Sequence, residues 1–493
     1  MIQGRQTPGD VLIIGSGVGG LTAGIILSKL HHRVTVVEKN TLPGGLMRSY
    51  VRSGIDCPVG VHYMGSLDRG QSLRRLWDYL GVTPMIPIER MGAEGVIDHY
   101  VFDEFSFDLP EGIDAYEDNL RRSFPMDHQP IAAIIGDLRQ MARTLMSLDM
   151  LISQEMPLLS AESFESMGEY LQRKGCSTRL LSVLSVPSSL IGVPLRECPV
   201  FYYYMTLASY LLSSWRLTCS GSQMADAFVT KLKSLGGDVR TGDGVERILI
   251  ESGRVKGVVL LSGLVLEAAT IIAAIHPKTV VAMMPPDTLR PAFAERITQL
   301  EDTKGLFAVN LAVDAASQKA LPYNIYQLFA REDGSLSHGI FHQLRNSANS
   351  EMNILSMITT SDIEEWQKWE GTISKRRGRE YDEIKQEKAR FFIDDASKLF
   401  GRLKGMKILD IYTPLTIRDR VNSPGGSAYG ILRSAGQLMK TATLKRTSIN
   451  GLFLAGQSIL APGIMGTILG SFQAVRNIIG YEKFGREVVR DFL

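Results

Sequence analysis

Cysteine is scarce in this chain: Cys57, Cys176, Cys198 and Cys219 are widely spaced among 493 residues and form no CxxC pair. That removes a disulfide scaffold, a zinc knuckle and a redox dithiol, and it makes a reducing, cytoplasmic setting the default. No eighteen consecutive apolar residues occur, so a spanning helix is excluded, and association with a membrane is at most peripheral. The opening MIQGRQTPGD has neither a basic stretch nor an apolar core, so no secretory signal is visible. Charge of one sign is missing as well. Lys plus Arg number 54 against 52 Asp plus Glu, and the net +2 gives no electrostatic reason to expect nucleic acid. HExxH, GxSxG and P-loop patterns are absent, so hydrolase and kinase readings have no support and no metal site is expected. At 44% hydrophobic and 22% charged residues, what remains is an ordinary globular composition, long enough for two or three units.

Glycine is the enriched residue, 47 in all, and the glycines cluster. Val11 to Ile14 reads as a short apolar strand, Leu21 to Leu30 as a helix, and Val34 to Val37 as a β-branched strand, which together make a βαβ unit. Its turn is Gly15-Ser16-Gly17-Val18-Gly19-Gly20. In such a turn Gly15 permits the tight bend, Gly17 lets the main chain approach a pyrophosphate, and Gly20 lets the helix pack close to the sheet. The helix N-terminus then offers free N–H groups and a partial positive charge to the diphosphate, and Glu38 is placed to accept from a ribose hydroxyl.

The residues after Glu38 discriminate between dinucleotides. Gly44 and Gly45 form a second glycine pair, followed by Gly54, Asp56, Gly60 and His62-Tyr63, a cluster that a nicotinamide dehydrogenase does not need. Near the other end lie Gly451 to Gln457 and then Pro462-Gly463-Ile464-Met465-Gly466, leading into an apolar helix through Ile479. A helix starting near Met465 presents its N-terminus to whatever lies before it, which suits a flavin pyrimidine ring that becomes anionic on reduction. Two anion-friendly elements at opposite ends of the chain would serve opposite ends of one long cofactor, FAD. With only one dinucleotide turn, a separate NAD(P)H domain is not expected.

These segments resemble the phytoene desaturase, carotenoid isomerase and retinol saturase group of flavoproteins, within the wider amine-oxidase-like FAD fold. The resemblance rests on GSGVGG with Glu38 and the following PGG, on Gly54 to Gly65, Leu109 to Pro125, Ser220 to Val239, Thr413 to Gly430 and Gly451 to Gly466. Residues of about 130 to 215 and 290 to 405 match little, and they fall where the group places its substrate domain. The resemblance implies an α/β architecture: a discontinuous Rossmann-like FAD-binding domain of parallel sheet plus β-meander (8–65, 217–290 and 408–493) with an inserted α+β substrate domain (66–216 and 291–407). It assigns Gly15, Gly17 and Gly20 to the diphosphate and Glu38 to the ribose. It also assigns Gly45 and Arg48 to the loop after the glycine pair, Val245 to the adenine and Gly456 with Gln457 to the second phosphate motif. Ile464, Met465 and Gly466 fall to the flavin. Two departures stand out: Leu46 occupies a position where many relatives carry a base, with Arg48 two residues on, and Gln457 replaces an acid. One lost charge-assisted contact, about 1.5–3 kcal/mol, weakens cofactor binding without abolishing it.

The expected substrate is an apolar polyene or isoprenoid, exchanging hydride with the flavin in desaturation, saturation or redox-neutral isomerisation, with a quinone or other electron partner. Pro199 to Leu212 is apolar and aromatic, and reads either as a core helix or as the wall of an apolar tunnel; the stretch from Met141 to Met156 carries the same two readings. Lys375 to Lys388 reads as a solvated charged face, and His276 as structural. Flavin chemistry needs no protein nucleophile. Candidates near the flavin are His62 and Tyr63, as proton donors or as loop supports, and Arg418 and Tyr429, in the strand and turn before the last motif. The alternatives on the same fold are an amine-oxidase-like or protoporphyrinogen-oxidase-like enzyme, and a noncatalytic carrier of prenylated proteins, which has no need of the dinucleotide turn.

Overall fold

The computed structural model describes residues 10–492 apart from 93–94, 149–164, 375, 443 and 445–446. The latter part of the Met141 to Met156 stretch therefore lies outside the described residues. Five parallel strands form the central sheet, in the order Asp238–Thr241, Val34–Glu38, Val11–Ile14, Thr270–Ala273 and Leu452–Leu454. Val11–Ile14 is buried along its whole length, as a strand covered on both faces must be. The helix Val18–Lys29 is also buried nearly all round, between its own sheet and the closing helix Gly463–Ile479. Such a helix shows little amphipathic periodicity, which is why composition identified it better than patterning.

Two glycines of the first turn are required by close approach. A Cβ on Gly20 would stand 2.0 Å from the Gly15 carbonyl oxygen, and one on Gly19 would meet the Gly456 main chain at 3.0 Å. The second contact joins the two ends of the chain, and Ser471 Oγ adds a hydrogen bond to the Gly19 carbonyl at 2.8 Å. Val245–Glu251, Arg254–Leu260 and Val265–Glu267 make an antiparallel meander whose inner face packs under the sheet.

A seven-stranded sheet forms the second body, in the order Lys407–Tyr412, Gly305–Asp314, Met352–Ser361, Leu336–Asn346, Asn324–Ala330, Val96–Val101 and Ser106–Pro110. It is antiparallel except where Asn324–Ala330 runs parallel to Val96–Val101. The boundary placed at residue 408 needs correction. Lys407–Tyr412 pairs with Gly305–Asp314, and the helix Pro414–Val421 buries Leu415 against Phe307 and Leu355 and Ile417 against Ala308 and Ile358. The apolar side chains of this segment find cover on the second sheet, and the chain rejoins the first only at Leu452. Near the other boundaries, Met64–Gly65 and Ser214–Leu217 pair directly, so the two crossings between bodies lie side by side. Among the described residues no helix is long and apolar enough to cross a membrane.

Because the Gly20 contact is with backbone, Gly20→Val should cost at least about 2 kcal/mol. The expected outcome is a lowered denaturation midpoint and poor soluble yield.

Candidate functional site

A cavity of about 1290 Å³ runs between the two bodies, above the ~1,000 Å³ upper end of ordinary small-molecule sites. One end is built by the parallel sheet. Gly15, Gly17, Glu38, Gly45, Arg48 and Val245 line it, and so do Gly456, Gln457, Ile464, Met465 and Gly466. The N-termini of Val18–Lys29 and Gly463–Ile479 both open onto it with no side chain capping them, so their N–H groups and dipoles are left for a bound anion. A Cβ added to Gly17 would meet nothing within 4 Å, and Gly17 has an ordinary φ of −62°, so this glycine keeps space clear rather than relieving strain. Gly45 is different: it has φ +55° and a Cβ there would lie 3.0 Å from Gly17 Cα. Gly20 lies under the turn and is not part of the lining.

Glu38 is 6% exposed, and both its oxygens are occupied. Oε2 accepts from Ser16 N at 3.1 Å and Ser16 Oγ at 2.7 Å, and Oε1 from Asn40 N at 2.9 Å and Asn40 Nδ2 at 2.8 Å. The carboxylate thus clamps the glycine turn to the end of the second strand, a structural task that the motif alone did not reveal. Arg48 donates to the carbonyls of Leu42, Gly45 and Arg420, bracing the loop at the cavity edge.

The other end of the cavity is apolar and aromatic, with Ile191, Leu195, Met205, Leu328, Phe341 and Ile358 in its wall. The helix Val200–Leu212 plays both roles foreseen for it. Tyr203 and Leu207 belong to a buried core, while Met205, Thr206, Ser209 and Tyr210 face the cavity. Gly192 takes φ +68° and leaves room for the Tyr429 ring, since a Cβ there would stand 2.6 Å from it. Tyr429 lines the cavity, and burial pushes its hydroxyl pKa up to about 12.

Arg418 does not reach this site. It lies on the helix Pro414–Val421 rather than on a strand, and its guanidinium donates to the Glu370 and Thr372 carbonyls and pairs with Asp419. Its neighbour Ile417 and Val421 line the cavity, whereas Arg418 does not. His276 caps the helix Pro277–Ala282 and meets Asp302 at 3.0 Å, so it holds structure while also touching the cavity.

His62 and Tyr63 stand where the two ends of the cavity join. The open side of His62 faces the cavity and not bulk water, its ring lies 5.4 Å from that of Phe341, and Nδ1 has no partner among the described residues. Burial pulls its pKa down to about 4, so the imidazole is neutral at physiological pH and is not the acid of the pair. Tyr63 carries the exchangeable proton. Its hydroxyl lies 3.1 Å from Asp98 Oδ2 and 2.8 Å from the Tyr326 hydroxyl, with the Tyr210 ring 4.7 Å away. Asp98 and Tyr326 belong to no motif. The parallel register that sets Asn324 beside Asp98 and Tyr326 beside Tyr100 brings them here, and nothing local in the sequence announces it.

Known proteins share this fold. The profile of an NAD(P)-binding Rossmann-like domain matches residues 13–80. The chain is similar to the all-trans-retinol 13,14-reductase of Macaca fascicularis, at 24% identity over 94% of this chain and 84% of that one. It is also similar to the chloroplastic prolycopene isomerase of Arabidopsis thaliana, at 25% identity over 96% and 83%. Among solved structures, cyclohexylamine oxidase from Brevibacterium oxydans matches with a TM-score of 0.63 at 16% identity, covering 97% of this chain and 100% of that one. The fold is that of the amine-oxidase-like flavoproteins. Within that fold, the relatives to which the chain is similar include a retinol reductase, carotenoid desaturases and prolycopene isomerase.

An unfolded His62 would bind its proton near pH 6.5 and the native one only near 4, so the unfolded state holds more protons between those values and stability is lost as pH falls through that window. Replacing His62→Gln should flatten the loss by up to about 3 kcal/mol, measured as denaturant midpoints from pH 7 to pH 4.

Proposed function

We propose that this protein is an FAD-dependent oxidoreductase acting on carbon–carbon double or single bonds of an apolar polyene or isoprenoid. The observation that carries the reading is the continuity of one cavity, from two uncapped helix N-termini at a cleared glycine turn to an apolar, aromatic wall. The residues suit the cofactor. Gly17 leaves open the space a diphosphate needs, and the N–H groups at the start of Val18–Lys29 face that space. The amides from Ile464 to Gly466 lie at the opposite helix terminus, where negative charge on a flavin ring is stabilised. When bound, FAD supplies hydride exchange at its ring.

The chain's own residues do the rest. The wall from Ile191 to Leu195, with Met205, Leu328 and Phe341, holds an apolar chain in one orientation by shape and excludes water, which is a proximity effect needing no charged anchor. Tyr63 places a hydroxyl at the junction of the two ends. The relatives named above as a retinol reductase and a prolycopene isomerase act on conjugated apolar chains, which supports the same class of substrate here. On this reading the parallel sheet and meander form the cofactor domain, the seven-stranded sheet and its helices form the substrate domain, and a quinone or other electron partner resets the flavin through the same opening.

Two measurements test the reading. Gly17→Val fits the fold without strain but fills the diphosphate space, so it should purify folded, with its denaturation midpoint within about 1 kcal/mol of the parent, and colourless. A yellow variant with normal flavin content sinks the assignment. Anaerobic reduction of the parent protein, followed by carotenoids, retinoids and prenyl quinones, should give a product changed in mass or double-bond geometry. Oxygen uptake with amines and no reaction with any polyene would favour an amine oxidase instead.

A further inference from the structure

Behind the cavity-lining Tyr63 and Tyr326 lies a carboxyl group with no cation to neutralise it. Asp98, on Val96–Val101, is 1% exposed. Asn324 Nδ2 donates to its Oδ1 at 2.8 Å, and the Tyr63 hydroxyl lies 3.1 Å from its Oδ2. The Asn324 amide cannot turn over, because its own Oδ1 accepts from Gln343 Nε2 at 3.0 Å, and Gln343 is anchored in turn on the His62 carbonyl at 3.1 Å. Oδ1 of Asp98 therefore stays an acceptor in either protonation state, and a proton can sit only on Oδ2, aimed at Tyr63.

The groups around Asp98 are all neutral. Tyr100 comes from its own strand, Asn324 and Tyr326 from the parallel neighbour, Tyr63 from the loop and Tyr210 from Val200–Leu212, while Leu109 stands opposite it on Ser106–Pro110. No Lys, Arg or His among the described residues forms an ion pair with it.

We propose that Asp98 is a proton store for the cavity, kept as a neutral acid and emptied through the Tyr63 hydroxyl, and that the reaction it serves is saturation of a double bond. This rests on the functional reading above. Saturation breaks one π bond and makes two C–H bonds. The hydride would come from reduced flavin, which a two-electron donor of the quinol class would then re-reduce, and the proton from the Tyr63 O–H. Tyr63 takes the Asp98 proton in its place, and the carboxylate left behind is reprotonated from solvent between turnovers. The Tyr326 hydroxyl, 2.8 Å from that of Tyr63, stabilises the transient negative oxygen. Burial with no cation beside it raises the Asp98 pKa to about 7, so below that pH the carboxyl holds the proton that saturation consumes. Asp98 acts through Tyr63 and is a positioning residue and proton reservoir; Tyr63 is the group that would touch the substrate.

The test uses purified holoprotein and three readouts. Asp98→Asn copies the protonated carboxyl, so its denaturation midpoint should gain on the parent's as pH rises from about 4 to about 7, where the unfolded parent has ionised this group and the native parent has not, and hold level above that. In infrared spectra at pH 6, the parent should show the carbonyl band of a protonated carboxylic acid, lost in Asp98→Asn and shifted in Tyr63→Phe. The second variant keeps the test decisive if the first does not fold. With a conjugated polyene in D2O under anaerobic reduction, the parent product should carry deuterium at both new C–H bonds, because the flavin N5 hydrogen also exchanges with solvent, with a rate that falls above pH about 7. Asp98→Asn should be slower by about 100-fold or more and lose that pH limb. A pH-independent midpoint difference with no acid band overturns the proton store whether or not flavin is bound, and so does unchanged saturation in Asp98→Asn. A parent protein that takes up no flavin overturns the cofactor reading and the saturation step with it, while the midpoint and infrared readouts still decide the store.

Discussion

The contact on which this structure depends is between two stretches of backbone from opposite ends of the chain. Gly19 and Gly456 approach so closely that a single methyl group would separate them, and Ser471 ties the first helix to the closing one. That approach aligns two helix N-termini on one space. The free N–H groups and dipoles there are an electrostatic asset only because both ends converge; either helix alone would be an ordinary helix end satisfied by water. The position of the parallel sheet, the clamp of Glu38 on Ser16 and the loop braced by Arg48 all serve to hold this junction in register.

The second body contributes chemistry of another kind. Its sheet supplies an apolar wall, and the same burial that suits a water-insoluble substrate changes the acids and bases set in it. His62 is driven neutral, while Asp98 is driven to keep its proton, although one is a base and the other an acid. A single cause, loss of water around the charged form, acts on both. A dry cavity therefore sorts its own proton donors, and the Tyr63 hydroxyl stands between Asp98 and the Tyr326 hydroxyl.

The glycine turn, the strand before it and the acid after it were legible because each is a local requirement: a tight bend, a close approach, a short buried run. Proximity along the chain did not give proximity in space for Arg418: next to the lining residue Ile417, it reaches the Glu370 and Thr372 carbonyls. The division at 408 failed for a related reason. Strand Lys407–Tyr412 pairs with Gly305–Asp314, and Leu415 and Ile417 after it are buried in the clusters of the same sheet, contacts with partners far off in the chain.

The sequence by itself determined the dinucleotide turn, the βαβ unit, the late glycine motif and the apolar character of the segment around Tyr203, since these follow from spacing and residue type within a few turns of chain. Tertiary structure alone decided that Asp98, Asn324, Tyr326, Gln343 and Tyr63 form one network. Those residues lie on three strands and a loop far apart in the chain, and the register of a single parallel strand pair sets their hydrogen bonds. Register depends on how whole faces bury against one another, and that is information no short stretch of residues contains.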